Sequence, residues 1–135
     1  MNRILLVEDN PGDAELTRLA FEAAGVECDL RVADSGEQAL DLLAADDAWS
    51  PHLILLDLNL PGMGGHDLLR RLKAESVLKR IPVITLSSSA SDEDIGLSYD
   101  LAANSYVQKP IDMAGFVVAV EAIAAFWLST AKLPA

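Results

Sequence analysis

Cysteine is almost absent: Cys28 is the only one in 135 residues. That excludes an intramolecular disulfide framework and any CxxC metal site. One unpaired thiol suits a reducing compartment, and Cys28 reads as a small apolar residue on or near a strand. Basic residues are scarce, 10 Lys+Arg against 21 Asp+Glu, for a formal net charge of −11. Binding nucleic acid by phosphate neutralisation needs a basic face, and the chain has no charge surplus to make one. No stretch reaches the roughly 18 uncharged apolar residues of a membrane span; the nearest, 113–131, is interrupted by Glu121. Met1-Asn2-Arg3 runs into a short apolar stretch and then acids, too brief and too polar for a secretory signal. These absences predict a soluble, cytoplasmic protein with neither nucleic acid nor membrane among its partners.

What is present is a core. Hydrophobic residues make up 51% of the chain, which removes disorder from consideration, and the length is that of one domain. Five short apolar runs alternate with helical patterns: 4–7, 30–33, 53–56, 83–86 and 105–107. The first, third and fourth are continuous rather than alternating, as in strands buried on both faces of a parallel sheet. The helices carry start signals: Asn10-Pro11, the box Ser35-Gly36-Glu37-Gln38, Ser91 followed by three acids, and Asp112. The first helix ends at Gly25, a plausible C′ residue, the third spans His66–Glu75, and the fifth Met113–Ser129. The order βαβαβαβαβα with right-handed crossovers implies a doubly wound α/β fold with helices on both faces of a five-stranded parallel sheet. The expected strand order, 2-1-3-4-5, is that of known flavodoxin-like folds and is carried over from them rather than calculated. Ligands in such sheets bind at the carboxyl ends of the strands, near the switch point between strands 1 and 3.

The chemistry-bearing residues fall at those ends. Strand 1 runs into Glu8-Asp9, strand 3 into Asp57, strand 4 into Ser87, and strand 5 into Lys109-Pro110. Three carboxylates together would raise one another's pKa, and a hard divalent cation relieves that. Mg²⁺ favours oxygen ligands, keeps waters and accepts phosphates. Lys109 adds a charge for phosphoryl oxygens. A carboxylate can attack phosphorus to give an aspartyl phosphate, and Asp57 lies on the central strand between the acidic pair and Ser87/Lys109. Catalysis of such transfer is mostly positioning and charge neutralisation.

Glu8-Asp9, the run Asp57-Leu58-Asn59-Leu60-Pro61-Gly62-Met63-Gly64-Gly65, then Ser87 and Lys109-Pro110 together resemble the receiver domain of two-component response regulators, over about residues 3–128. The resemblance implies the following roles. Asp57 is the phosphoacceptor. Glu8, Asp9, Asp57 and the backbone carbonyl of Asn59 bind Mg²⁺, and Glu8 stands where many receivers have Asp. Ser87 and Lys109 meet the phosphoryl group, Tyr106 is the switching aromatic, and Pro110 follows a cis peptide. A sensor histidine kinase would be the donor. The opening Glu8-Asp9-Asn10-Pro11-Gly12-Asp13 and the terminal Phe126-Trp127-Leu128 are similar to stand-alone regulators paired with bacterial phytochrome kinases. The expected organisation is a receiver over 1–128 and a tail over 129–135, with no output domain. Output would then come from a surface change or from phosphorelay, not from turnover of a separate substrate.

Other readings stand beside this one. An aspartate-nucleophile phosphatase would have a second acid where Asn59 stands, and a cap domain. A receiver-like interaction module that is never phosphorylated would have a broken acid triad. His52 and His66 lack neighbouring ligands at metal spacing and read as surface or loop residues. The glycines at 62, 64 and 65 lack the strand–GxxxxGK–helix context and shape a loop. Helix 5 is apolar nearly all round, with stripes Phe116, Val120, Ile123, Trp127 and Val117, Ala124, Leu128. A helix of that kind needs cover on more than one side, which predicts a homodimer through the region of Phe116, Val120, Ile123, Phe126, Trp127 and Leu128.

Overall fold

The computed structural model describes residues 1–45 and 49–134. Five strands, β1 (Asn2–Val7), β2 (Cys28–Ala33), β3 (Leu53–Leu56), β4 (Val83–Ser87) and β5 (Ser105–Gln108), form one parallel sheet in the order β2-β1-β3-β4-β5. They alternate with α1 (Pro11–Ala23), α2 (Gly36–Ala44), α3 (Gly65–Ala74), α4 (Asp92–Asp100) and α5 (Met113–Ala125). Fold class and strand order are those expected. The run 53–56 coincides with β3, β1 and β2 begin two residues before their runs, and β4 and β5 end one residue after theirs.

Pleat alternation divides the core in two. Leu5, Val7, Ile54, Leu56 and Val83 face Leu68, Leu69 and Leu72 of α3. Ile4, Leu6, Leu53, Leu55, Ile84 and Leu86 face Phe21 of α1 and Phe116, Val120 and Ile123 of α5. The caps work as the sequence requires: Asn10, Ser35, Ser91 and Asp112 each accept an N–H three residues on. In the Ser35 box the returning Gln38 Oε1 takes the N–H of Asp34 at 2.6 Å, one residue before the cap.

Helix α1 ends in a Schellman turn on Gly25 (φ 71°), with Gly25 N–H bonded to Glu22 O and Val26 N–H to Phe21 O. Helix α4 ends the same way, but the left-handed position is held by Ala102 (φ 70°). Gly65 is required by close approach. A Cβ there would lie 2.4 Å from Leu58 Cα and 2.7 Å from the Asp57 carbonyl oxygen, so only glycine lets α3 start directly beneath the end of β3.

The fifth helix departs from expectation. The α-helical part stops at Ala125 and the chain continues as one π turn, Phe126–Thr130. Thr130 Oγ1 donates to Ala125 O at 2.9 Å, and Ala131 N–H reaches Phe126 O. Despite Glu121, Met113–Thr130 is long and apolar enough to cross a membrane by length and composition. Here it covers the sheet. Phe116, Val120 and Ile123 are buried in their own domain, which corrects their assignment to a dimer surface. Trp127 and Leu128 are half-buried against the same cluster. Phe126 stays 51% exposed and Val118 68%. Leu133 and Pro134 line a small cavity with Arg3, Pro51 and Arg80. Ala135, the last residue of the expected tail, lies outside the described residues.

Candidate functional site

Strand register assembles the site. Val7 pairs with Leu56 and Leu56 with Thr85, so the residues that follow β1, β3 and β4 emerge on one level. The ladder continues one bond further, from Asp57 N–H to Val7 O at 3.0 Å and from Lys109 N–H to Ser87 O at 2.6 Å. Glu8 and Asp57 are therefore almost fully buried, 3% and 4% exposed, while Asp9 at the rim is open to solvent.

Lys109 closes the site from β5. Its Nζ donates to Glu8 Oε1 at 2.6 Å, to Asp13 Oδ2 at 3.0 Å and to Asp57 Oδ2 at 3.1 Å. Burial by itself would lower the Lys109 pKa, but the bonds to Glu8 and Asp13 and the charge of Asp57 overcome that and raise it. The ammonium is therefore permanently charged. It does not neutralise the acids. Glu8 is pushed up to about 7, first by burial and then by the neighbouring Asp57, with Lys109 only partly opposing.

Glu8, Asp9 and Asp57 each present a carboxylate oxygen within 4.8 Å of the others. An all-oxygen set of this density, still crowded with negative charge after Lys109 is counted, fits a hard divalent cation. Asn59 sits beside it, its N–H bonded to Asp57 Oδ1 at 3.1 Å, which fixes one oxygen of that carboxylate.

The remaining expected residues lie around this cluster. Ser87 is buried, and its hydroxyl takes the N–H of Ser89 at 3.2 Å. Tyr106 is half-buried, and its Oη donates to Ser89 O at 2.7 Å, binding it to the loop after β4. The Lys109–Pro110 peptide is trans, since the described residues contain no cis bond. This corrects the expected cis form. Trans is the intrinsic preference of an X-Pro bond by about 0.5–1 kcal/mol, and Lys109 bonds Glu8, Asp13 and Asp57 with it.

Four contacts are not legible in the sequence. In the sequence Asp13 is only part of the helix opening, and its one signal is that of an acid in the first turn of α1. Glu37 of α2 accepts the N–H of Met63 at 3.1 Å and so braces the loop after β3. The histidines are not plain surface residues. His52 Nδ1 accepts Arg3 N–H at 3.0 Å, with its pKa lowered by burial and by the charge of Arg3. His66 Nε2 is 3.0 Å from the Oγ of Ser98, the one buried residue of α4.

Known proteins share this fold and much of this sequence. Residues 4–121 match the family described as response regulator receiver domain. The response regulator Rcp1 of Synechocystis sp. is 36% identical over 136 residues, covering 98% of this chain and 92% of its own length. The crystal structure of the Mn(2+)-bound form of Rcp1 superposes with a TM-score of 0.90 at 35% identity, over 100% of both chains. That of the phosphorylated cyanobacterial phytochrome response regulator RcpA gives 0.92 at 39% identity, over 99% of both.

Proposed function

Because the chain belongs to the response regulator receiver family, we propose that it is a phosphorylation switch with Asp57 as acceptor and a sensor histidine kinase as donor. The observation that carries this reading is the buried Asp57 carboxylate, at the end of the central strand, with Lys109 Nζ 3.1 Å from one oxygen and the acidic pair beside it.

In the reaction an Asp57 oxygen attacks the phosphorus of a phosphohistidine. The new O–P bond forms as the P–N bond breaks, and the imidazole nitrogen leaves with the electron pair. Asn59 N–H orients the carboxylate, and Lys109 offers its charge to the transferring oxygens. Glu8, Asp9, Asp57 and the Asn59 carbonyl would hold Mg²⁺, which supplies charge neutralisation for the phosphoryl group. Mg²⁺ is the reading for this chain, alongside the Mn(2+) form of Rcp1. After transfer the group brings about two negative charges and three acceptor oxygens. Ser87, at the adjoining strand end, and Lys109 are the side chains that would meet them. Their shift reaches Tyr106 through Ser89, and α4 through Tyr99, whose Oη accepts Tyr106 N–H at 3.2 Å. Output is then a changed α4–β5–α5 surface or onward transfer to a second histidine, in a cytoplasmic receiver over 1–128 with a short tail and no activity on a separate substrate.

A bacterial phytochrome kinase is the favoured donor, because the relatives above include a phytochrome response regulator. Homodimerisation through α5 remains part of the reading on revised residues. With Phe116, Val120 and Ile123 committed to the core, the contact falls to Val118 and Phe126, with Trp127 and Leu128 at its edge. Sedimentation at micromolar concentration should give a dimer, and Phe126→Ser a monomer that still phosphorylates.

The decisive test is labelling by a phosphorylated histidine kinase, or by acetyl phosphate, with Mg²⁺. Label is expected on Asp57 and lost in Asp57→Asn, with the circular dichroism spectrum retained. Undiminished labelling of that variant would refute the assignment.

A further inference from the structure

Asp13 is the one member of the Lys109 cluster to which the phosphoacceptor reading gives no task. It is held in place rather than merely near. Its N–H is taken by Asn10 Oδ1 at 3.1 Å, and its carbonyl accepts Thr17 Oγ1 at 2.8 Å. Thr17 is buried, so the first turn of α1 is pinned above and below the residue. From there Oδ2 lies 3.0 Å from Lys109 Nζ.

An ammonium has three N–H donors and no more. Lys109 spends them on three carboxylates, those of Glu8, Asp13 and Asp57. Glu8 and Asp57 also belong to the acid cluster that fits a cation, whereas Asp13 does not. A phosphoryl group on Asp57 presents new oxygens, and Lys109 can bond to one only by releasing a partner it already has.

We infer that Asp13 is a positioning residue acting through Lys109: it takes a share of the ammonium that would otherwise go to the cation-binding acids before phosphorylation and competes with the phosphoryl group for it afterwards. The inference rests on the reading of Asp57 as phosphoacceptor. Its two consequences have opposite signs. Without the Asp13 charge, Lys109 leans wholly on Glu8 and Asp57, and a divalent cation binds less well. Once the cation is saturating and Asp57 carries a phosphoryl group, the missing competitor leaves Lys109 free to pair with it, and that state is strengthened. A general disturbance of the site would weaken both.

The experiment uses the full chain, titrated with Mg²⁺ alone and then with beryllofluoride, a mimic of the aspartyl phosphoryl group, at saturating Mg²⁺, with amide NMR as readout. In Asp13→Asn the Mg²⁺ Kd should rise about three- to tenfold, and the beryllofluoride Kd should fall by a similar factor, the range for a charge-assisted bond to a partly exposed carboxylate. Asp13→Glu keeps the charge and should return both values toward wild type. In a Lys109→Ala background Asp13→Asn should no longer strengthen beryllofluoride binding, because the effect runs through the lysine. Movement of both constants in the same direction, or of neither, overturns the inference and leaves the phosphoacceptor reading intact. A wild type that binds no beryllofluoride overturns that reading, and the inference with it.

Discussion

Glu8→Gln in the absence of divalent cation should make this protein more stable, and more so as the pH rises. Glu8 is 3% exposed and its pKa is pushed up to about 7, by burial first and by Asp57 second. In the unfolded chain the same carboxyl titrates near 4.5. Between these values the folded state holds a proton that the unfolded state has lost, so stability falls as the pH rises from about 4.5 through 7. Each pKa unit is worth about 1.4 kcal/mol. The difference between about 7 and 4.5 then amounts to roughly 3 kcal/mol of instability above pH 7, on the order of 10 °C in Tm for a chain this size. Glutamine carries no such charge, and its Oε1 can still accept from Lys109. The assay is urea unfolding of both proteins in EDTA at a series of pH values. The difference in unfolding free energy should be small at pH 5, grow through pH 7 and level off above it. Adding Mg²⁺ should close the gap from the wild-type side, because the cation replaces the missing compensation. A difference that does not change with pH, or a variant less stable than wild type at pH 8, would refute the reasoning.

Other outcomes follow from single contacts. Gly65→Ala should cost about 2–3 kcal/mol by overpacking and slow Asp57 labelling, because the new Cβ meets the backbone of Asp57 and Leu58; unchanged thermal unfolding and labelling would count against it. Ala102→Gly should stabilise by roughly 0.5–1 kcal/mol, since the left-handed position that ends α4 carries a Cβ for no visible gain; calorimetry checks this. Asp9→Ala should remove most Mg²⁺ binding and with it phosphotransfer; full-rate transfer in excess EDTA would contradict the cation requirement. His52 has a lowered pKa in the fold, so its contribution is present above about 6.5 and is lost as the pH falls below that; in His52→Gln the acid limb of the stability profile should flatten.

Much of the fold was legible because its signals are local. A strand buried on both faces must be apolar throughout, so 53–56 and 83–86 declare themselves as continuous runs. A helix start must satisfy free N–H groups, so Asn10, Ser35, Ser91 and Asp112 mark the starts of α1, α2, α4 and α5. The positions of Glu8, Asp57, Ser87 and Lys109 follow from the same reasoning, because register carries every strand end to one level. Sequence by itself thus determined the elements, their order and the place where chemistry-bearing residues gather.

Tertiary structure decided whatever depends on which of several chemically equal choices is taken. Nothing in the helix 5 pattern distinguishes the Phe116, Val120, Ile123 stripe from its neighbours; packing on the sheet buried the first and left Val118 and Phe126 outside. Asp13 reads as an ordinary acid at a helix start, and only the assembled fold brings Lys109, just after β5, within 3.0 Å of it. His66 reads as a surface residue at a helix start until α4 sets Ser98 against it. Local sequence fixes backbone conformation and burial tendency, because propensity and capping act over a few residues. Pairings across the chain, such as the 96 residues between Asp13 and Lys109, depend on the packing of whole elements, and no short stretch of sequence contains that information.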